Sequence, residues 1–173
     1  MGVSVALATG LYLSYIPATL MSSFRHTRKD GGAPVKWTGA GFVGTLEGLA
    51  LVSFLPTAPA ALAIFLTAAI LAACLICGRA ERELGVHDDP RIVLDEVVGY
   101  WTAIAFLPRA RPIWLVGFVL FRLLDSVKLP PYRWLERLPG GWGIVFDDVG
   151  AGVCVNVLIR LAMIFHPTWL AAA

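Results

Sequence analysis

The chain has 173 residues, of which 58% are hydrophobic and only 15% are charged, and its mean hydropathy is +0.74. Ordinary soluble domains carry roughly 45–50% apolar and about 25% charged residues. This composition excludes a disordered chain, a collagen-like chain and a secreted disulfide scaffold, and it predicts an integral membrane protein because so small a chain cannot hide this much apolar surface. The net charge of +2, with no basic stripe interleaved with aromatic residues, gives no indication of nucleic-acid binding.

The first apolar segment predicts a membrane helix at the N-terminus. The uncharged run Val3–Met21 is long enough to cross a hydrocarbon core of ~30 Å, with a kink expected at Pro17. It has no positive n-region and no clear cleavage site, which favours a membrane helix over a removed signal peptide. A basic loop over Arg25–Lys36 follows, within the wider region 22–38, and the positive-inside rule places it in the cytoplasm.

Further apolar segments complete the predicted bundle. Their expected bounds are about Phe42 to the break at Pro56–Pro59, then Ala60–Cys77, Ile92–Leu107, Ile113–Val127 and about Val149 to Phe165. Backbone groups in lipid must be satisfied internally, so helices are expected rather than strands. The prediction is a single all-α domain over residues 1–173, a small polytopic membrane bundle of five or six helices with short hairpins. One polar loop rich in proline and glycine is expected over Pro130–Gly143.

The order in which the predicted segments cross the membrane places most acidic residues on one side of the bundle. If the basic loop is cytoplasmic and both hairpins return to that side, residues 79–96 and 125–148 lie there together. Ten of the twelve carboxylates fall between Glu81 and Asp148. Arg109 and Arg111 would lie on the other side, against the positive-inside tendency.

One group of candidate functional residues lies near the end of the segment Ile113–Val127. Arg122, Asp125 and Lys128 are spaced three residues apart, so they share one helix face. A carboxylate between two cations could bind a metal ion while its neighbours hold phosphate oxygens. The alternative is a charge network that only joins helices.

Two acidic pairs complete the candidate site. Asp95-Glu96 is expected near a helix N-terminus, where negative charge is favoured, and Asp147-Asp148 is expected just before the last helix. Each pair taken alone could be a simple helix-start acid. Hard oxygen ligands without a His/Cys cluster favour Mg²⁺ over zinc. Cys74 and Cys77 lie inside an apolar run and are interpreted as small apolar filler.

These residue types suit hydrolysis of a phosphate ester by a metal-activated water. Arg122 and Lys128 would hold the phosphate, and His87 is either a further phosphate contact, a metal ligand or a solvated loop histidine. The candidate metal ligands are Asp95, Glu96, Asp125, Asp147 and Asp148. The candidate catalytic residues are Asp95, Glu96, Asp125 and Asp148.

Three motifs in this order resemble the phosphatidylglycerophosphatase A family. They are Gly85-Val-His-Asp with Asp95-Glu96 and Gly99, Phe121-Arg122-x-x-Asp125-x-x-Lys128, and Gly140-Gly-x-Gly-x-x-x-Asp147-Asp148-x-x-Ala151-Gly152. The likeness covers about residues 41–152 and includes a glycine motif, Gly41-Phe-Val-Gly44-Thr45-Leu. This motif departs from the family pattern at Phe42, where threonine is usual, and Leu129 replaces a common proline.

The resemblance implies a function and a location. It implies a Mg²⁺-dependent enzyme that hydrolyses phosphatidylglycerol phosphate to phosphatidylglycerol and inorganic phosphate. It also implies a multi-pass protein of the bacterial inner membrane whose active site faces the cytoplasm among membrane lipids; a homo-oligomer is left open. A phospholipid-forming CDP-alcohol phosphotransferase is the second enzyme hypothesis, although its Asp-Gly-x-x-Ala-Arg string is missing. A small ion-translocating protein is the non-enzymatic alternative, with Arg160 as the main charge within an apolar segment.

Overall fold

The computed structural model describes residues 2–16, 39–86, 89–127 and 134–165, and within these ranges the protein is all-helical, with six α-helices and no strand. The helices are α1 Val3–Ala8, α2 Ala40–Leu51, α3 Pro59–Leu84, α4 Leu94–Ile104, α5 Arg111–Val127 and α6 Gly141–Phe165. Short 3₁₀ helices lie at Val52–Phe54 and Leu135–Arg137. The all-α class is confirmed, and the six α-helices of the described residues fall within the expected five or six, while the polytopic membrane bundle stays a prediction. The basic loop Arg25–Lys36 and the candidate residues His87 and Lys128 lie outside the described residues.

Among the described residues, two helices, α3 and α6, are long and apolar enough to cross a membrane. They have 26 and 25 residues, and their most apolar windows have mean hydropathies of 2.7 and 1.8. Helix α3 begins with Pro59 at its first position, where the missing N–H costs no hydrogen bond. It ends at Gly85, whose left-handed backbone (φ 70°) lets its N–H reach the carbonyl of Glu81.

Helices α2 and α4 are shorter than the membrane segments predicted for them. At 1.5 Å per residue, the 12 residues of α2 and the 11 residues of α4 rise about 17 Å, against a hydrocarbon core of ~30 Å. Large apolar side chains lie on the outer surface, among them Phe54, Ile64 and Ile164. Such a surface suits contact with lipid, while separate crossing of the membrane by each short segment stays a prediction.

The predicted N-terminal helix Val3–Met21 is wrong over its described part. Helix α1 ends at Ala8, and a turn follows in which Gly10, Leu11 and Tyr12 all have positive φ. The N–H of Leu11 closes this turn on the carbonyl of Ala6 at 2.7 Å. Hydropathy alone predicted a continuous helix, whereas the described residues 9–16 turn and contact the loop before α4 through Ser14.

The last helix begins at Gly141, eight residues before the predicted start at Val149. The glycines that suggested a loop serve close packing: a Cβ on Gly141 would lie 2.0 Å from the carbonyl oxygen of Cys74. Asp147 and Asp148 therefore lie within the second turn of α6, and their predicted place before the helix is wrong. The loop prediction Pro130–Gly143 is wrong for its last three residues.

Helix α4 lies at the centre and contacts α1, α2, α3, α5 and α6. Its Tyr100 is fully buried against Phe121 of α5, and the Tyr100 hydroxyl donates to the carbonyl of Trp114 at 2.9 Å. The first turn of α4 carries Asp95 and Glu96, so these acidic side chains lie at one end of the bundle. The C-terminal end of α4 lies at the opposite end of the bundle.

Arginines at that opposite end satisfy backbone carbonyls. Arg109 donates to the carbonyl of Leu55 at 2.6 Å and to that of Pro56. Arg160 donates to the side chain of Asn156 at 2.8 Å and to the carbonyl of Phe106 at 3.2 Å. Carbonyls at helix ends have no partner within their own helix, so these arginines have a structural role that the charge pattern did not reveal.

Candidate active site

Three carboxylates meet at the N-terminal end of α4. Asp95 and Glu96 come from the first turn of α4 and Asp148 from α6, and one oxygen of each lies within 4.8 Å of the others. Each carboxylate also has a buried oxygen without a hydrogen-bond partner among the described residues, namely Asp95 Oδ1, Glu96 Oε2 and Asp148 Oδ2. Buried unpartnered acceptors of like charge are costly. The arrangement therefore calls for a cation.

Close contact between α4 and α6 brings these acids together. A Cβ on Gly99 would lie 2.9 Å from both the Cβ and the carbonyl oxygen of Asp148, and a Cβ on Gly152 would lie 2.3 Å from the carbonyl oxygen of Gly99. Only glycine at these two positions allows the two backbones to touch. Gly99 follows Asp95 by one turn, so this contact places Asp148 opposite Asp95.

Helix α5 adds Asp125 and Arg122 to the same place. The Asp125 carboxylate lies beside Asp148 and Glu96. Its Oδ2 also forms an ion pair with Arg122 Nη1 at 2.9 Å. We call Asp95, Glu96, Asp125 and Asp148 the acidic site. It has four carboxylates from three helices and one neighbouring guanidinium, so an excess of negative charge remains to be balanced.

Arg122 is held by α2 as well as by Asp125. Its Nη1 donates to Thr45 Oγ1 at 3.3 Å, and the Thr45 hydroxyl donates to the carbonyl of Gly41 at 3.0 Å. A Cβ on Gly41 would lie 2.4 Å from Glu96 Oε1 and 3.0 Å from Arg122 Nη2. The glycine motif of α2 therefore makes room for both side chains, and Thr45 orients the arginine.

The loop before α4 carries a separate ion pair. Arg91 donates to Asp89 through Nε at 2.8 Å and through Nη2 at 2.6 Å. Burial alone would raise the pKa of Asp89, but the hydrogen bonds and charge of Arg91 outweigh it and hold this pKa below its usual value. The pair stiffens the loop but does not belong to the acidic site.

The structure brings together five of the predicted site residues: Asp95, Glu96, Arg122, Asp125 and Asp148. Asp147 is buried too, but it lies outside the three-carboxylate group because successive helical residues point about 100° apart. Sequence reasoning gave no role to Thr45, although the glycine motif contains it. Cys74 and Cys77 are free and buried in the apolar core, as predicted. Cys77, however, also lies against Asp95, a contact that no sequence signal indicated.

The hard oxygen donors of the acidic site fit a metal ion of the Mg²⁺ class. Mg²⁺ prefers carboxylate and water oxygens, and the three unpartnered buried oxygens converge without a histidine or thiolate among the grouped ligands. The acidic site is therefore a candidate metal centre with a cation, Arg122, at its edge.

Comparison with known proteins agrees with this geometry. The sequence model of the family described as Phosphatidylglycerophosphatase A matches residues 26–163. The chain belongs to this family. Within it, a relative from Escherichia coli (strain K12) named "Phosphatidylglycerophosphatase A" is 40% identical over 105 residues, 60% of each chain. A relative of the same name from Haemophilus influenzae is 34% identical over 128 residues, 73% of this chain and 77% of the relative.

A third relative has a different printed name. It is a "Putative phosphatidylinositol-3-phosphatase" from Bacteroides thetaiotaomicron, 42% identical over 79 residues, 44% of this chain and 50% of the relative. The chain matches less than two thirds of the length of the Escherichia coli relative and of this one. No solved structure matches the chain. The family match covers α2 to α6 up to residue 163 and thus the whole acidic site.

Proposed function

We propose that the protein is a Mg²⁺-dependent lipid phosphatase that hydrolyses phosphatidylglycerol phosphate to phosphatidylglycerol and inorganic phosphate. The observation that carries this proposal is the convergence of Asp95, Glu96 and Asp148, each with an unpartnered buried oxygen, beside Arg122. Family membership supplies the substrate, because two relatives bear the name of this activity.

In this proposal the carboxylates hold the metal. Asp95, Glu96 and Asp148 are the inner ligands, and Asp125 and Asp147 are the further ligands predicted from the sequence. Bound Mg²⁺ supplies positive charge to phosphate oxygens and acidifies water. Metal ligands must be correctly oriented, and the close contact of α4 and α6 places Asp148 opposite Asp95.

The chain's own groups bind the phosphate and move the proton. Arg122 presents its guanidinium to the phosphate oxygens, with Thr45 and Asp125 fixing its direction. A water oxygen forms the new bond to phosphorus, its proton passes to a carboxylate of the acidic site, and the bond to the glycerol oxygen breaks. The same carboxylate then gives this proton to the glycerol oxygen, which leaves as the hydroxyl of phosphatidylglycerol. Lys128 and His87 are proposed as further phosphate contacts.

We place the protein in the bacterial inner membrane as a multi-pass protein, with the acidic site facing the cytoplasm. Two membrane-length helices and an apolar outer surface support the membrane location. The orientation rests on the basic loop Arg25–Lys36 and the positive-inside rule. The acyl chains of the substrate would stay in lipid beside the bundle while its headgroup reaches the acidic site.

The test measures phosphate release from phosphatidylglycerol phosphate in detergent micelles with Mg²⁺. Excess EDTA should abolish release, and added Mg²⁺ should restore it. Glu96→Gln should lower turnover at least a hundredfold, since it removes a charged ligand while keeping the side-chain shape. Glu136→Gln is the matched control, because Glu136 lies on the 3₁₀ helix Leu135–Arg137 outside the acidic site, and it should keep wild-type turnover. Turnover that survives EDTA or Glu96→Gln would contradict the proposal.

A second substrate tests which lipid headgroup the enzyme prefers, separately from whether it is a phosphatase. Phosphatidylinositol 3-phosphate is offered under the same conditions, because one relative is named for that lipid. Faster release from phosphatidylglycerol phosphate is expected. Faster release from the inositol lipid would overturn the substrate assignment and keep the phosphatase chemistry.

A further inference from the structure

The N-terminal segment, residues 2–16, binds the loop that leads into α4. Ser14 Oγ donates to the carbonyl of Arg91 at 2.6 Å, and the N–H of Val93 donates to the carbonyl of Ala8 at 2.7 Å. These bonds connect parts of the chain that are more than 70 residues apart. The segment lies before residue 26, where the family match begins, so its contacts are additional to the matched fold.

The segment is itself anchored to α3. Val5 and Ala8 are fully buried in a core cluster that includes Cys77 and Ala80 of α3. At the start of the segment, the N–H of Gly2 donates to Glu83 Oε2 at 3.1 Å. Because the segment is anchored to α3, its hydrogen bonds to the loop before α4 restrict the movement of that loop.

A strained turn directs Ser14 towards that loop. Leu11 and Tyr12 have φ values of 52° and 70°, a left-handed conformation that is unfavourable for residues with a side chain. Such conformations persist only where surrounding contacts maintain them. Here the N–H of Tyr12 donates to Thr9 Oγ1 at 3.2 Å, and Ser14 beyond the turn is fully buried.

A third contact holds the same loop from the side. The guanidinium carbon of Arg91 lies 5.3 Å from the centroid of the Tyr15 ring, within the range of a cation–π interaction. Arg91 also pairs with Asp89, so its side chain is fixed on two sides. Residues 89–93 are thereby held both by their own ion pair and by the N-terminal segment.

We propose that the N-terminal segment is a positioning element for the acidic site, with Ser14 as its main positioning residue. Val93 immediately precedes α4 and is fully buried, and its carbonyl accepts the N–H of Val97. Fixing Val93 therefore fixes the first turn of α4, which carries Asp95 and Glu96. The role in metal binding rests on the proposed function, whereas the effect on the loop does not.

The test replaces Ser14 by alanine in the full-length protein. Ser14→Ala removes one hydroxyl donor, and the matched control Thr67→Val removes the hydroxyl that donates to the carbonyl of Ala63 on α3, away from the site. Hydrogen–deuterium exchange is measured for the peptide covering residues 90–98 in metal-free protein. Loss of one such bond should raise the exchange rate there about fivefold in Ser14→Ala and leave it unchanged in Thr67→Val.

A second measurement reports on the acidic site itself. Mn²⁺ alone is the probe, and its Kd should rise at least threefold in Ser14→Ala and stay constant in Thr67→Val. Tyr15→Leu, which keeps Ser14 but removes the ring from Arg91, should change both quantities in the same direction by a smaller factor. It keeps the test decisive if Ser14→Ala does not fold.

Two results would overturn the positioning role. One is a wild-type exchange rate over residues 90–98 in both Ser14→Ala and Tyr15→Leu. The other is faster exchange in these two variants with an unchanged Kd for Mn²⁺. A wild-type protein that binds Mn²⁺ but releases no phosphate from lipid would instead overturn the proposed function. The exchange and Mn²⁺ results would then still decide whether the N-terminal segment positions α4.

Discussion

Gly99→Ala tests whether the contact between α4 and α6 builds the acidic site. The added methyl group would lie 2.8 Å from Phe121 Cζ and 2.9 Å from both the Cβ and the carbonyl oxygen of Asp148. Real Cβ contacts are not this short, so a neighbour has to move. Two of the three atoms belong to the α6 backbone or are bonded to it, and these atoms cannot rotate away. We therefore expect α6 to shift away from α4 at Asp148.

The expected cost follows from two opposing effects. Extra methyl groups in packed interiors cost roughly 1–3 kcal/mol, and replacing glycine by alanine within a helix returns about 0.5–1 kcal/mol. Taking the middle of each range, the net loss of stability is about 1 kcal/mol, or a fall in Tm of roughly 2–4 °C for a chain of this size. A shift of several tenths of an ångström at Asp148 should weaken Mn²⁺ binding about tenfold and lower turnover more, because catalysis is sensitive to misplacement.

The assay compares Tm, the Kd for Mn²⁺ and phosphate release in detergent for Gly99→Ala and a matched control. Gly117→Ala places a methyl group 2.8 Å from the Cγ2 methyl of Ile104, at a helix contact away from the acidic site. The control should lower Tm by a similar or smaller amount and leave the Kd unchanged. Wild-type Kd and turnover in Gly99→Ala would refute the reasoning, and so would an equal rise in Kd in both variants.

Three further changes test other contacts. Arg122→Lys should raise KM at least tenfold with a smaller effect on Tm, because lysine keeps the charge but lacks the planar guanidinium whose Nη1 contacts both Thr45 and Asp125. An unchanged KM measured by phosphate release would argue against a phosphate contact. Asn156→Ala should lower stability by about 1–3 kcal/mol with no change in Mn²⁺ binding, since the carbonyl of Ala103 loses the Asn156 donor and that of Ala105 keeps only the longer contact from Arg160. Thermal unfolding with a Mn²⁺ titration checks this. Asp89→Asn should lower the free energy of unfolding above about pH 4, because a carboxylate with a lowered pKa stabilises the folded state only while it is ionised. The difference from wild type should disappear as the pH falls below the pKa of Asp89. A loss of stability that persists at that lower pH would contradict the ion-pair explanation.

The acidic site could largely be predicted from the sequence. Long uncharged runs specify apolar helices, and charged residues concentrate at the ends of these runs, so threading alone places Asp95, Asp125 and Asp148 at one end. The spacing of Arg122 and Asp125 also predicted a shared helix face, and the structure pairs the two side chains there. These features depend on local patterns and chain order, which a single sequence contains.

The remaining features depend on contacts between distant parts of the chain. The glycines around Gly141 suggested a loop, yet they allow α6 to pack on the backbone of α3. Helix α1 ends at Ala8, whose carbonyl accepts a hydrogen bond from the N–H of Val93 in the loop before α4. Hydropathy cannot predict a hydrogen bond between such distant residues. The carbonyl contacts of Arg109 and Arg160 could not be predicted either, because an arginine in or beside an apolar segment has the same sequence pattern whether it faces lipid phosphate or a carbonyl.

The most direct test is a crystal structure of the protein with Mn²⁺, using anomalous scattering to locate the ion. A peak is predicted among Asp95, Glu96 and Asp148, with ligand oxygens about 2.0–2.3 Å away as for hard divalent cations. The peak should disappear in Glu96→Gln crystals grown under the same conditions. An ion bound elsewhere, or no ion at saturating Mn²⁺ with the three carboxylates still together, would contradict a metal centre at the acidic site.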